Sequence, residues 1–281
     1  MFVDTSCSSL AAARPVAAMQ RAYGRARIVF DERNGATHLN RLYQEGAAKV
    51  RFPRPTDMTQ EAVLINTAGG LTGGDSFATE VLLRARAKAV VTTQACERIY
   101  RSTGPKAHVS ATVEVGADSS LCWLPQETIL FDGGRLARRF EADLTASAEL
   151  LVLEAVIFGR EAMGETVHDG FFHDRWRIRR EGVLLAADDL RFDGEIASLL
   201  ARPAVLNGNR AMATALLVAP DCERLLDPVR EALGAAGGAS AWKGKLLVRV
   251  IAADGFELRR SLLPALSVLM NGRTLPKVWQ I

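Results

Sequence analysis

Residues 108–158 read HVSATVEVGADSSLCWLPQETILFDGGRLARRFEADLTASAELLVLEAVIF. Within them HVSATVEV, SLCWLP, ETILF, ARRFEADL and ELLVLEAVIF are short segments, β-branched or alternating, punctuated by Gly, Pro, Asp or Asn. A period of two puts successive side chains on opposite faces of a strand, so each segment predicts one strand. Working outward, RARIVFDE, AAKVRFP, EAVLINT, FATEVLLRA and AKAVVTTQ come before and DRWRIRREG comes after, giving about eleven runs between Arg25 and Leu190. No helical pattern of useful length separates them. A large sheet-built body is expected, and parallel βαβ units are disfavoured because their crossover helices are missing. Periodicity alone leaves a sandwich or a barrel open.

The C-terminal third changes period. DCERLLDPVREALGAAGG places Leu225, Leu226, Val229, Ala232 and Leu233 at helical spacing, with Asp221 as a cap, Pro228 as a kink or restart, and Gly237-Gly238 as the stop. KLLVRVIAAD reads as a strand. GFELRRSLLPALSVLMNG reads as an amphipathic helix kinked at Pro264 and closed by Asn271-Gly272, and LPKVWQI as an extended end. No internal repeat and no linker is visible. Residues 1–20 predict a flexible N-terminal tail and 21–281 a single domain.

The chain of 281 residues carries 35 basic and 32 acidic side chains, a net charge of +3 that gives no field of the kind nucleic-acid binding uses. Two basic clusters, Arg135/Arg138/Arg139 and Arg175/Arg177/Arg179/Arg180, alternate with apolar positions and read first as solvated strand faces, with a docking surface for an acidic partner as the alternative. Cys7, Cys96, Cys122 and Cys222 are scattered, with no CxxC pair, which fits a reduced cytoplasmic chain better than a disulfide framework. Cys96 and Cys122 read as small buried hydrophobes. Every long apolar stretch is interrupted before the roughly 18 to 20 residues that a membrane helix needs. Asp4 and Arg14-Pro15 break up any signal-peptide core.

Four islands carry the chemical information: INTAGGLTGGDSF (65–77), TTQACERIYRS (92–102), CWLPQETILFDGGRL (122–136) and EAVIFGREAMGE (154–165). Gly69, Gly70, Gly73 and Gly74 could form a nest of amides for a phosphate, but no Lys-Ser/Thr and no helix follow. A tight turn whose backbone is bonded by Asp75 is the better reading. Glu127 and Asp132 flank an apolar strand at an odd separation, which points them to opposite faces and argues against a paired-carboxylate site. Glu154 lies inside LLVLEAVIF, so it is either on a wet face or buried with a partner. His168 and His173 are five apart and read as surface or loop residues. A hydrolase or transferase using the glycine turn with Asp75 and Glu127 is the competing class, and it lacks GxSxG, HExxH and P-loop patterns.

Taken in order, Gly-Gly-x-x-Gly-Gly-Asp, Thr-Thr-Gln-Ala…Tyr-Arg-Ser, Trp-Leu-Pro-Gln-Glu-Thr-Ile-Leu-Phe and Phe-Gly-Arg-x-x-x-Gly-Glu resemble the UreD (UreH) family of urease accessory proteins. The closing Leu-Pro-Lys-Val-Trp (275–279) is similar too, and the resemblance covers roughly residues 20–281. Asn66-Thr67-Ala68 departs from it, standing where the family usually carries prolines. The resemblance implies a mainly β, solenoidal or β-helical-like body with a few C-terminal α-helices, and a cytoplasmic, non-catalytic chain. It implies binding to UreF, through UreF to the GTPase UreG, and to apo-urease, with no nucleic acid or membrane partner. It also implies transient passage of Ni2+ with no tightly bound cofactor. A conduit suits scattered carboxylates and water better than a closed His/Cys cage, which would hold the ion too tightly. Asp75, Glu127, Glu154 and Glu165 are the candidate nickel-conduit carboxylates, with Glu154 foremost because it precedes Phe-Gly-Arg. The helix over Phe256–Gly272 and the Trp279 tail are either a UreF-facing surface or a closure of the β core.

Overall fold

The computed structural model describes residues 20–54 and 58–280; the tail predicted over 1–20 lies, apart from Gln20, outside the described residues. Strands make up 53% of the chain and helices 16%, and the strands wind as a β-solenoid of about four turns. One wall is a seven-stranded sheet. Its spatial order is β14 (Val183–Glu195), β13 (Asp169–Arg180), β11 (Arg135–Leu144), β8 (Ala107–Val115), β5 (Ser76–Leu83), β1 (Tyr23–Arg33) and β2 (Ala36–Gly46). The opposite wall runs β16 (Gly237–Trp242), β17 (Lys245–Ala252), β15 (Ala211–Val218), β12 (Glu149–Phe158), β9 (Ser120–Leu124), β6 (Lys88–Thr93), β4 (Gln60–Asn66) and β3 (Ala48–Arg51). Two short strands, β7 (Glu97–Ile99) and β10 (Thr128–Leu130), stack on the end of β12 as a third face.

Five strands of the first wall, β1, β5, β8, β11 and β13, pair in parallel, as do β4, β6, β9 and β12 of the second. Parallel pairing therefore occurs without crossover helices. Each coil returns to its starting wall by way of the opposite sheet, which supplies the long connection that a parallel pair requires. Antiparallel strands finish the two ends: β2 on β1, and β14 on β13 with β15, β17 and β16 beyond β12.

The expectation of no repeat is corrected at the level of spacing. Side-chain bonds from coil to coil recur at a separation of 31 residues, in Asn66 to Glu97, Cys96 to Glu127, Arg101 to Asp132 and Trp123 to Glu154.

Between the walls lies an apolar interior built on Ile28, Val81, Val113, Phe140, Val152 and Trp176. The second wall is covered outside by α2 (Leu226–Leu233), α3 (Gly255–Leu269) and Trp279. That is why β12 and β15 are apolar on both faces. A third cluster, with α1 (Ile196–Leu200), closes the corner beside β10 and β13.

The C-terminal predictions need local corrections. Asp221 sits at φ 50° and makes no side-chain cap; Cys222–Leu225 is a 3-10 turn and α2 begins at Leu226. Pro228 then falls in the first turn, where its missing N–H costs nothing. Gly234, at φ 55°, stops α2, while Gly237 and Gly238 start β16. Asp254 caps α3 by accepting the amide of Glu257 at 2.8 Å. Residues Lys277–Trp279 form a 3-10 turn rather than an extended end.

Candidate functional site

The glycine loop is structural. Asp75 is buried and accepts the amides of Ala22 at 2.8 Å and Thr72 at 2.7 Å, tying the loop to the start of β1. Gly70 has φ 145°, and a Cβ there would meet the Tyr100 ring and lie 2.8 Å from the Arg98 carbonyl. At Gly73 a Cβ would strike Ser102 and the Pro105 carbonyl. These close approaches hold the loop against the β7 region.

Beside that loop opens a cavity of about 240 Å³ that runs between the two walls. Its outer part is lined by Gly69, Gln94 and Arg98, which are exposed, and by Asn66 and Glu97. Its inner part reaches Trp123, Arg138 and Glu154, all buried. Asn66, at the departure from the family pattern, donates from Nδ2 to both Glu97 carboxylate oxygens, at 3.1 and 3.2 Å. Burial pushes the Glu97 carboxyl up to about 7, against the pull of those bonds and of Arg98.

At the inner end three charged side chains converge. Arg138 of β11 and Asp174 of β13 are register partners, with Nη2 donating to Oδ2 at 2.8 Å. From the opposite wall Glu154 of β12 brings Oε2 to 2.5 Å from Arg138 Nη1, while its Oε1 accepts Trp123 Nε1 at 3.0 Å. Arg138 Nη1 also donates to Thr128 Oγ1 at 3.0 Å. All three are nearly inaccessible, at 8% for Arg138 and 6% each for Glu154 and Asp174. Burial, then the Asp174 charge, raise the Glu154 carboxyl, and Arg138 and Trp123 only partly offset them. Burial also works against the Arg138 cation, but the two carboxylates outweigh it and keep the guanidinium protonated. Hydrogen bonding is incomplete: Arg138 Nε, Glu154 Oε2 and Asp174 Oδ1 find no hydrogen-bond partner. For Glu154 Oε2 this stands beside the ion pair, whose distance is short but whose angle is poor.

Of the four carboxylates expected to line a conduit, Glu154 alone lines this cavity. Glu127 is 1% exposed and is clamped by the Arg259 fork of α3, Nε to Oε1 at 2.7 Å and Nη2 to Oε2 at 2.9 Å. Cys96 Sγ lies 3.3 Å from its Oε2, so Cys96 is a half-buried polar neighbour rather than a buried hydrophobe, and burial pushes its thiol up to about 11. Glu165 is held by Arg160, Nε to Oε2 at 2.9 Å, a bond that keeps its carboxyl low, and it accepts the Asp132 amide. Asp132 contacts Arg101 and accepts the amides of His168 and Asp169. It therefore shares no partner with Glu127, and only Thr128–Leu130 between them is strand. Asp75 and Glu127, the pair of the hydrolase reading, are each engaged in structural bonds and share no partner. His168 is exposed ahead of β13, and His173 Nε2 is 2.7 Å from Asp189. Among the described residues no group of three or more His, Cys, Asp or Glu is disposed to hold a metal ion, and no helix is long and apolar enough to cross a membrane.

Three residues of the site contradict or escape the sequence reading. Arg138 is not on a solvated face; it points into the interior. Asp174 lies outside the four islands, and Glu97, inside TTQACERIYRS, is not singled out from it. Trp279 is fully buried, donating Nε1 to the Leu124 carbonyl at 2.9 Å, so the tail closes the core.

The model of the family described as UreD urease accessory protein matches residues 22–280. The chain is 54% identical over 263 residues to the urease accessory protein UreD of Rhizobium etli, covering 93% of this chain and 96% of that one. It is 51% identical over 262 residues to the protein of the same name from Agrobacterium fabrum, covering 93% and 92%. With that of Mesorhizobium japonicum it shares 50% over 267 residues, covering 93% and 95%.

Proposed function

This chain belongs to the UreD family of urease accessory proteins and has a role in urease maturation, and from that premise we propose that it is a non-catalytic scaffold and nickel conduit. In this reading one UreD-like domain over 21–281 works in the cytoplasm. It binds UreF, through UreF the GTPase UreG, and apo-urease, and Ni2+ crosses its interior as cargo on the way to the urease active site.

The observation that carries the conduit is the cavity between the solenoid walls, which starts at exposed Gln94 and Arg98 and ends on buried Glu154. Carboxylates facing an open internal space offer hard oxygen ligands, a few at a time, which suits a cation in transit better than one in residence. Asp75, Glu127 and Glu165 drop out of the lining, and Glu97 joins Glu154 in it.

Co-expression of urease with its accessory proteins, with and without this chain, tests the role by the nickel content of the purified urease. Equal nickel in both overturns it. Glu154→Gln keeps the shape and removes the charge. Nickel delivery should fall while the complex with UreF still forms, and unchanged delivery removes Glu154 from the path.

A further inference from the structure

The cavity ends against a wall rather than a mouth. Beyond Arg138 and Glu154 the next strand of the first sheet, β13, brings Asp174 and Trp176 into the interior. A second cavity, of about 250 Å³, begins there, lined by Trp176, Leu185, Leu216, Trp242 and Lys245. Phe140 stands between the two, its ring centroid 5.6 Å from that of Trp123 in the first cavity and 6.3 Å from that of Trp176 in the second. The two spaces follow one another along the sheet order; the ring stack lies between them, and the Arg138 ion pairs close the inner end of the first.

Arg138 is an unusual end wall for the first cavity. One guanidinium serves two carboxylates, so the trio carries one net negative charge when all three are ionised. Polar atoms on each of its members lack hydrogen bonds, as does Trp176 Nε1. The guanidinium occupies the place between two carboxylates that a dication would take. We propose that Arg138 is a displaceable counter-ion. It holds the inner end closed, and a divalent cation arriving from the first cavity takes its place between Glu154 and Asp174. The inference rests on the conduit reading and adds its regulation. A tethered cation that competes for the same oxygens lowers the affinity of the site, and so prevents a pair of buried carboxylates from becoming a trap. No bond is made or broken; one cation is exchanged for another, and the guanidinium swings toward the water of the cavity.

Removing the competitor should expose the site. Full-length Arg138→Met is titrated with Ni2+ by calorimetry, with circular dichroism to confirm the fold. It should gain one site at least about tenfold tighter than any in the wild type, equivalent to about 1.4 kcal/mol. The gain should vanish in Arg138→Met/Asp174→Asn. A folded Arg138→Met that binds no more tightly, or a gain that survives the second substitution, overturns the proposal. Should the Met variant fail to fold, Arg138→Lys is measured instead. Lysine keeps a charge but cannot fork to two carboxylates, so unchanged Ni2+ affinity overturns the proposal and a gain supports it. The conduit reading fails separately, if Glu154→Gln leaves the nickel content of co-expressed urease unchanged.

Discussion

Replacing Glu97 by Gln should remove a loss of stability that the wild-type chain suffers as pH rises. Glu97 sits in the cavity with both oxygens on Asn66 Nδ2, and burial lifts its pKa from 4.5 to about 7. A carboxyl whose folded value exceeds its unfolded value binds its proton more tightly in the native state. Its contribution is complete below the unfolded value and is lost as pH climbs through the folded one. For a shift from 4.5 to about 7, linkage gives about 2.5 kcal/mol lost between about pH 5 and about pH 8. Glutamine has the same shape and no charge, so the variant escapes that loss. The assay is urea denaturation of the full chain and the variant at both pH values, extrapolated linearly to water. Other titrating groups cancel in the difference between the two proteins. The variant should gain about 2.5 kcal/mol on the wild type across the window. A difference that stays constant with pH would refute the reasoning, because Glu97 would then ionise in the native state as freely as in the unfolded chain.

Arg259→Met should leave Glu127, 1% exposed, without its fork; a buried charge stripped of its partner costs roughly 3–5 kcal/mol, read by chemical denaturation. Adding Glu127→Gln should restore part of it, and no recovery would mean that Arg259 acts through packing on Trp279 instead, over which its guanidinium lies at 5.2 Å. Trp279→Ala should cost roughly 3–5 kcal/mol by loss of a fully buried side chain. A thermal midpoint unchanged by this substitution would favour the other reading of the tail, a UreF-facing surface.

The strands were legible because alternation is a local signal, and their winding was not. Four coil-to-coil bonds fall at 31 residues, yet the paired residues differ each time: Asn with Glu, Cys with Glu, Arg with Asp, Trp with Glu. A solenoid of this kind repeats a length of chain and not a set of side chains, so a search for self-similar residues passes over it. Missing crossover helices argued only against βαβ units, and the parallel pairs found here are joined through the opposite sheet instead. The solenoid came into the expectation through the family resemblance, not through periodicity. At the C-terminus, Pro228 was legible as a helix perturbation but its place in the first turn was not, because the start of α2 depends on how the 3-10 turn at Cys222–Leu225 meets β16 and β17.

The site divides by parity. In β11 the inward positions are Leu136, Arg138, Phe140, Ala142 and Leu144, all buried. In β13 they include Phe172, Asp174, Trp176 and Ile178. Arg138 and Asp174 therefore stand in the apolar phase of their own strands, and reading each basic cluster as one block hid the fact that its members face two ways. Glu154 offers no such phase. Its strand is covered on both sides, by the interior and by α3, so only the opposite wall decides what it meets. An interior of aliphatic ladders would suit a solenoid at least as well, since well-packed apolar residues commonly equal or exceed a buried ion cluster in stability. Three charges placed at the end of a cavity of about 240 Å³, with polar atoms left unbonded, are a weak way to hold walls together. They are a good way to keep two carboxylates available, and the stability that Arg138→Met/Glu154→Gln/Asp174→Asn gains or loses measures how far the fold itself needs them.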